Sequence, residues 1–191
     1  MIKIMVHLVR IVIATCIALL FNSCKYDIDL GEKITGSGHV ATRERSLATF
    51  TKIEVSQGLD CEVTQGNDQK VVVEADDNLQ DGIITTVTNG VLKISSKYNN
   101  FINVKSKKIK VQAPIILGLE TTSASSLITK NTIKGNTIYL KSSSASNLDA
   151  NIEADKIILE SSSGSDLNIE GKALELTTAS LAEVVLMLKI Y

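Results

Sequence analysis

The sequence is poor in the residues that line catalytic and sugar-binding clefts. Tryptophan is absent, proline occurs once, aromatic residues make up 4% of the chain, and two of the 191 residues are histidine. A cleft lined by aromatic rings is therefore disfavoured. A helical bundle is disfavoured as well, because serine, threonine and β-branched residues are abundant, and this composition favours β-structure.

Neither sign of charge is in excess. The chain has 20 Lys and Arg residues against 21 Asp and Glu residues, and without Lys3 and Arg10 in the N-terminal leader the balance is 18 against 21, a charge near −3. No strongly basic surface is predicted, so we expect no nucleic-acid partner. The 168 residues from Cys24 onward are enough for one domain.

Residues 1–23 have the order of a secretory signal. Basic residues come first, at Lys3 and Arg10, an apolar run spans residues 11–21, and two small or polar residues precede Cys24. This order predicts a cleavable signal peptide. The alternative is a transmembrane helix, but the apolar run has about half of the roughly 20 residues that cross a bilayer.

A cysteine directly after the apolar run resembles the lipobox of bacterial lipoproteins. The resemblance implies that residues 1–23 are removed and that the thiol of Cys24 is acylated, which would attach the protein to a membrane. Lipoboxes prefer Leu three residues before the cysteine, and this chain has Phe21 there, as in the looser lipoboxes of Bacteroidetes. The alternative is a signal cleaved elsewhere that leaves Cys24 as a free thiol.

The cysteine count favours lipid attachment. Of the three cysteines, Cys16 leaves with the signal and a modified Cys24 leaves Cys61 without a disulfide partner. Since Cys61 is in phase with Leu59 and Val63, we expect it to be a small buried core residue.

Residues 24–49 are predicted to be a lipid-attached tether, because they contain several acidic residues and glycines and show no sustained periodicity. Acidic residues just behind a lipidated cysteine resemble surface-export signals of Bacteroidetes lipoproteins, but Lys25 and Tyr26 interrupt that pattern. We expect an outer-membrane lipoprotein of the cell envelope. The sequence leaves a periplasmic and a surface-facing orientation open.

Four segments align without gaps over eleven positions and predict repeated β-structure. Their starts are 21, 19 and 17 residues apart, and they are 117–127 (LGLETTSASSL), 138–148 (IYLKSSSASNL), 157–167 (IILESSSGSDL) and 174–184 (LELTTASLAEV). Repeats of about 20 residues indicate a solenoid. Aliphatic residues at the first, third and last positions argue against low-complexity disorder.

Within the repeats, apolar and polar residues alternate with period two, which indicates strands. We expect one interior column of Leu140, Leu159 and Leu176, and one outward column of Ser126, Asn147, Asp166 and Glu183. The inward serines need hydrogen-bond partners, and a turn within the serine run would change which of them face inward. Upstream, Asn89-Gly90 between two apolar runs predicts a β-hairpin.

Motifs outside the repeats carry a family resemblance. They are GSGHVATRERSLATFTKIEVSQGLDCEVTQG at 36–66, KVVVEADDNL at 70–79 and NGVLKI at 89–94, followed by the recurring SAS and SGS segments. In this order they resemble the GIN-type head domain of auto-transporter adhesins, over about residues 36–180. Gly58, Leu59 and Asp60 stand near the family's Gly-Ile-Asn position.

The resemblance implies a Bacteroidetes-type lipoprotein of unknown function whose head domain is a right-handed β-helix without established catalytic residues. Together with the repeat, it predicts an all-β fold over residues 50–191: a right-handed single-stranded β-helix, or solenoid, with coils of about 17–21 residues, preceded by a cleavable signal segment. Relatives continue with Gly-Ser-rich coils where this chain reads LAEVVLMLKIY and stops. Either the last turn folds differently or the chain is truncated.

No motif has the pattern of an enzyme site. Polysaccharide lyases and hydrolases built on β-helices need clustered Asp residues, often Ca²⁺, and an Arg or Lys base, and no Arg follows Arg45. The outward column that contains Asp166 is the nearest approach to an acidic cluster, and we interpret it as a solvated ladder. The Asp76-Asp77-Asn78 segment is interpreted as a turn, and His39 receives no role.

We therefore predict no catalytic residue, no metal site and no cofactor, and we assign Cys24 as the lipid-attachment residue. The expected function is that of a non-enzymatic, lipid-anchored adhesin or binding module for protein or glycan. The alternative is a carbohydrate-active lyase or hydrolase, which requires an acidic cleft.

Overall fold

Alternation of apolar and polar residues becomes strand along most of the chain in the computed structural model. The structure describes His7 and Arg10, residues 32–179, and the backbone of residues 183–190. The chain divides into Met1–Leu30, where His7 and Arg10 are exposed and helical, and Gly31–Tyr191. The predicted signal is otherwise outside the described residues, and Cys24 lies outside them too. Within the described part, no helix is long and apolar enough to cross a membrane.

The described residues form fifteen strands and one 3₁₀ turn. The strands are β1 (Glu32–Thr35), β2 (Val40–Arg45), β3 (Lys52–Val55), β4 (Asp60–Gln65), β5 (Lys70–Asp76), β6 (Ile83–Thr88), β7 (Val91–Ser96), β8 (Tyr98–Ile102), β9 (Lys107–Ala113), β10 (Gly118–Thr121), β11 (Ser126–Thr129), β12 (Ile133–Ser142), β13 (Asn147–Ser161), β14 (Asp166–Ala179) and β15 (Glu183–Ile190), and the 3₁₀ turn is Asp77–Leu79. Two of these strands, β1 and β2, lie within the segment 24–49.

One mixed sheet contains thirteen of these strands. Its main path runs β2-β5-β9-β4-β11-β13-β12-β10-β3-β7-β6, and β14 and β15 continue from β13. The strands β13 and β12 connect two runs of this path because β13 pairs with β11 at its start and with β12 further along. The sheet curls in this way around one apolar core as a nearly closed, barrel-like layer, and β1 and β8 form a separate parallel pair.

The fold is all-β, but the predicted right-handed single-stranded β-helix is wrong. In such a fold each turn of chain would lie beside the next one in sequence. Here β3 lies between β7 and β10, and β4 lies between β9 and β11, so an early segment is inserted between two later ones. In addition, β2, β5 and β6 pair antiparallel with their neighbours. The predicted cleavable signal segment is not part of what the structure describes.

The strands of the repeats are parallel and in register. Leu119 pairs with Leu140, which pairs with Leu159, and on the second run Leu127 pairs with Leu148, which pairs with Leu167. All six side chains are fully buried. A constant register stacks like residues and buries an aliphatic column on each run of the sheet.

The predicted position of Leu176 is wrong by two residues. Leu176 pairs with Ile157, while Leu159 pairs with Thr178, so Leu176 lies in the column next to that of Leu140 and Leu159. The pairing distance is 19 residues there but 17 between Asp166 and Glu183. The last turn is therefore two residues shorter, and a gap-free alignment moved this difference into the strand.

Tight turns interrupt the serine runs between the two strand runs. Each turn has two consecutive residues with positive φ, and the pairs are Ser123 and Ala124, Ser144 and Ala145, and Ser163 and Gly164. Backbone bonds stack the turns, since the N–H of Ala124 donates to the Ser144 carbonyl and the N–H of Ala145 donates to that of Ser163. Ser163 is consequently exposed, whereas Ser161 and Ser165 stay inside.

The buried hydroxyls bond to one another and to turn carbonyls. Thr121 donates to Ser142 at 3.1 Å, the hydroxyls of Ser142 and Ser146 are 3.0 Å apart, and Ser165 donates to the Ser142 carbonyl at 2.8 Å. Each of these groups would otherwise cost about 1–3 kcal/mol as a buried unsatisfied group. Cys61 is also buried, in the core as predicted, and burial raises the pKa of its thiol.

Candidate functional site

The Asp76-Asp77-Asn78 segment holds the chain together at a turn. The buried Asp76 carboxylate accepts backbone N–H bonds from Gly38 at 2.9 Å, Lys105 at 3.0 Å and Ser106 at 2.9 Å. Burial alone would raise the pKa of Asp76, but these three donors outweigh it and lower the pKa. Asn78 in turn donates to the Thr35 carbonyl at 2.9 Å. These contacts are structural, in agreement with the turn interpretation.

The structure aligns the outward column expected from the repeats. Ser126 pairs with Asn147, Asn147 pairs with Asp166, and Asp166 pairs with the backbone of Glu183. A second outward column lies two residues further along, where Ile128, Asp149 and Asn168 pair in the same order. Together, the described side chains of these two columns are called the polar ladder below: Ser126, Ile128, Asn147, Asp149, Asp166 and Asn168.

Asp149 is the centre of the polar ladder. Its carboxylate accepts one bond from the amide of Asn147 at 3.0 Å and another from the amide of Asn168 at 2.7 Å. Both amides are held by one carboxylate, so their orientation is fixed before any ligand arrives. The Asn147 side-chain oxygen is buried and has no hydrogen-bond partner.

A shallow groove of about 280 Å³ runs beside Asp149 and Asn168. Thr129, Asn151 and Glu170 continue its polar lining, and Ile128, which is 40% exposed, adds an apolar patch. Amide and carboxylate oxygens accept bonds from hydroxyl or N–H groups. The arrangement can therefore bind a polar ligand along several strands, and strands of one sheet repeat about every 4.8 Å.

The sequence contains a signal for this network that alternation alone does not reveal. Aligned repeats read Asn147-Leu-Asp149 and Asp166-Leu-Asn168, so asparagine and aspartate exchange places between neighbouring strands. In a parallel register this exchange puts an amide beside a carboxylate at both positions. Period two assigned these side chains to the outside, but the bond between Asp149 and Asn168 depends on the register.

The remaining predicted positions contribute less. Cys24, the predicted lipid-attachment residue, lies outside the described residues. His39 is exposed, and its backbone carbonyl accepts the N–H of Asp77. In the described part of the chain, no group of three or more His, Cys, Asp and Glu side chains could hold a metal ion.

Comparison with solved structures finds the same fold in Bacteroidetes proteins. A crystal structure described as a putative adhesin from Bacteroides fragilis superposes with a TM-score of 0.69 at 22% identity, over 75% of this chain and 67% of that one. A putative lipid binding protein from Parabacteroides distasonis gives 0.65 at 21% identity, over 81% and 76%. A putative adhesin from the same species gives 0.60 at 21% identity, over 77% and 72%.

Comparison with protein families gives the assignment. No curated protein matches the chain. Residues 49–183 match the family described as putative auto-transporter adhesin, head GIN domain, and these residues include the hairpin, the serine turns and the polar ladder. The resemblance noted in the sequence is thereby confirmed, and the chain belongs to this GIN-domain family.

Proposed function

We propose that the protein is a non-enzymatic, lipid-anchored binding module of the cell envelope whose polar ladder contacts a protein or glycan ligand. The observation that carries the proposal is the network around Asp149, which fixes two amides in an exposed row on parallel strands. Binding groups that are already ordered lose less entropy when a ligand arrives. Adhesin-type family membership supports a role in binding.

A glycan fits the ladder better than a lipid does. One structural neighbour is described as a lipid binding protein, but the groove beside Asp149 is lined mainly by amide, hydroxyl and carboxylate groups. Such groups match sugar hydroxyls or peptide N–H groups, and Ile128 supplies one apolar contact. A protein ligand remains compatible with this surface.

Attachment to the membrane is the second part of the proposal. The order of basic residues, apolar run and Cys24 supports removal of residues 1–23 and acylation of the new N-terminal cysteine. Residues 24–49 then connect the lipid to the domain of residues 50–191, and β2 within this connection already pairs with β5. An adhesin-like module of this kind would work at the outer membrane, facing the periplasm or the cell surface.

The polar ladder is tested with a printed glycan array and the full chain purified in detergent. Replacing both Asp149 and Asn168 with Ala removes the two partners of one bond and should weaken array binding on the order of tenfold. Asp155→Ala is the matched control, since Asp155 is exposed on the same strand, β13, outside the groove. Equal binding by wild type and double variant would refute the ladder as the contact surface.

A reducing-sugar assay on the glycans that bind separates binding from cleavage. We expect the glycans to be released unchanged after long incubation. Continuous production of reducing ends, lost in the Asp149→Ala and Asn168→Ala double variant, would replace the proposal with the carbohydrate-active alternative.

Lipid attachment is tested by metabolic labelling with a palmitate analogue in a Bacteroidetes host. We expect the wild type and Cys61→Ala to be labelled and Cys24→Ala to be unlabelled, because Cys61 is buried in the core. Equal labelling of the Cys24→Ala variant would show that Cys24 is not acylated.

A further inference from the structure

A slot opens in the outer surface of the other strand run, above Gly118. Lys52 of β3 and Tyr139 of β12 are the register partners of Gly118 on its two sides. Because Gly118 has no side chain, the row is interrupted between these two residues, which stand two strand spacings or about 10 Å apart. The opening measures about 370 Å³, within the range of small-ligand sites.

Both walls of the slot suit a sugar ring. Tyr139 is half-buried, and its hydroxyl donates to Glu160 at 2.6 Å, so the side chain is held in place. Burial and the Glu160 carboxylate raise the pKa of Tyr139 and keep the hydroxyl a donor. On the other side the aliphatic stem of Lys52 leans over Gly118, as a Cβ there would lie 3.3 Å from the Lys52 Cγ.

The charges around the slot leave one cation over. Glu54 pairs with Lys93 at 3.4 Å, and Lys141 is shared by Glu120 at 3.3 Å and Glu160 at 3.9 Å. Among the described residues, no carboxylate forms an ion pair with Lys52. A ligand carboxylate is the group that would complete this row of alternating charges.

We propose that the slot above Gly118 binds a carboxylated sugar residue, with its carboxylate on the Lys52 ammonium and its ring beside Tyr139. Glu54, Glu120 and the Asn89 side chain also line the slot and can accept bonds from ring hydroxyls. The apolar face of the ring contacts the aromatic side chain, which is an amphipathic surface. This site is separate from the polar ladder and does not depend on it.

The ligand chemistry is tested by titrating the purified full chain with tetragalacturonate in a calorimeter. Three probes distinguish the sources of binding: tetragalacturonate, the same oligomer with methyl-esterified carboxylates, and tetraglutamate peptide. We expect binding of tetragalacturonate alone, weakened by added salt because the Lys52 pair is exposed. Binding of the ester with equal affinity, or of tetraglutamate with equal affinity, would overturn the proposal.

Two variants locate the site. Lys52→Met keeps the stem and removes the charge, so affinity should fall about fivefold, while Lys33→Met, on exposed β1, should bind like the wild type. Gly118→Val fills the slot and should weaken binding about tenfold or more. The φ of Gly118 is not positive, so valine can adopt this strand conformation.

The outcomes separate this site from the ladder. The Asp149→Ala and Asn168→Ala double variant should bind tetragalacturonate with unchanged affinity, whatever the glycan array shows for the ladder. If Gly118→Val unfolds by circular dichroism, Lys52→Met decides the question. Absence of tetragalacturonate binding by the wild type, or unchanged binding by Lys52→Met, would overturn the proposal.

Discussion

The two halves of the main sheet reach the same burial by different routes. Between residues 118 and 179, neighbouring strands are parallel and pair at distances of 19–21 residues. Between residues 40 and 113, three strands are antiparallel and the pairing distances vary, with Val40 opposite Asp76 and Cys61 opposite Ile109. The repeating half follows one rule, and the first half has a separate solution for each pair.

This difference shows what a repeat contributes. Where repeats have equal length, one register superposes aliphatic on aliphatic and hydroxyl on hydroxyl at every strand, so slipping by one residue would expose the whole set. In the first half, register depends on the pattern of each pair and on local anchors such as Asp76. Burial nevertheless ends equal, since Leu92 and Leu159 are both fully buried.

The strongest test of this comparison is a large-to-small change in each half. Leu92→Ala and Leu159→Ala should each lower the free energy of unfolding by about 2–5 kcal/mol, because both leave a cavity in one core. Urea unfolding followed by circular dichroism measures both. A large loss for Leu159→Ala beside a loss under about 1 kcal/mol for Leu92→Ala would show that the repeats alone hold the fold.

A pair of glycine variants tests where the repeat tolerates change. Gly171 has a φ of 137°, and a Cβ there would collide with the Ile152 carbonyl, so Gly171→Ala should cost about 3 kcal/mol or more. Gly164→Ala should cost only about 1 kcal/mol. Its site is open, and Ala124 and Ala145 already adopt a similar positive φ in the equivalent turns. Equal losses in thermal unfolding would contradict this reading of the turns.

The first half should be more sensitive to acid through Asp76. The folded pKa lies below the unfolded value of about 3.9, so Asp76 stabilises the fold above that pH, and the contribution is lost as the pH falls through the folded pKa. Asp76→Asn should cost about 1–3 kcal/mol at pH 7 and should flatten the decline of stability below pH 4. Urea midpoints between pH 7 and pH 2.5 measure this, with exposed Asp68→Asn as the control.

The smallest effect is expected on the polar ladder. Asp166 is exposed at the surface of β14, so Asp166→Ala should change the free energy of unfolding by no more than about 0.5 kcal/mol. A differential scanning measurement beside Leu159→Ala is sufficient. A loss comparable to that of Leu159→Ala would mean that the outward face is wrongly assigned.

Patterns that repeat or are local were readable from the sequence. Asn89-Gly90 predicted the hairpin of β6 and β7, which forms with positive φ at both residues. The aliphatic positions 127, 148 and 167 predicted an interior column that forms in register. The position of Leu176 failed because the turn before residue 183 is two residues shorter, which composition does not show.

The sequence by itself determined strand period, inside and outside faces, the serine turns and the family, because alternation, turn residues and repeat length are local or periodic properties. Only the tertiary structure decided the order of the strands, the insertion of β3 and β4 between later strands, and the bonds that join Asp149 to Asn168 and Tyr139 to Glu160. Many segments here have similar apolar alternation, so several pairings satisfy the pattern of any one strand. The choice among them depends on closing the whole sheet around one core, which no single segment encodes.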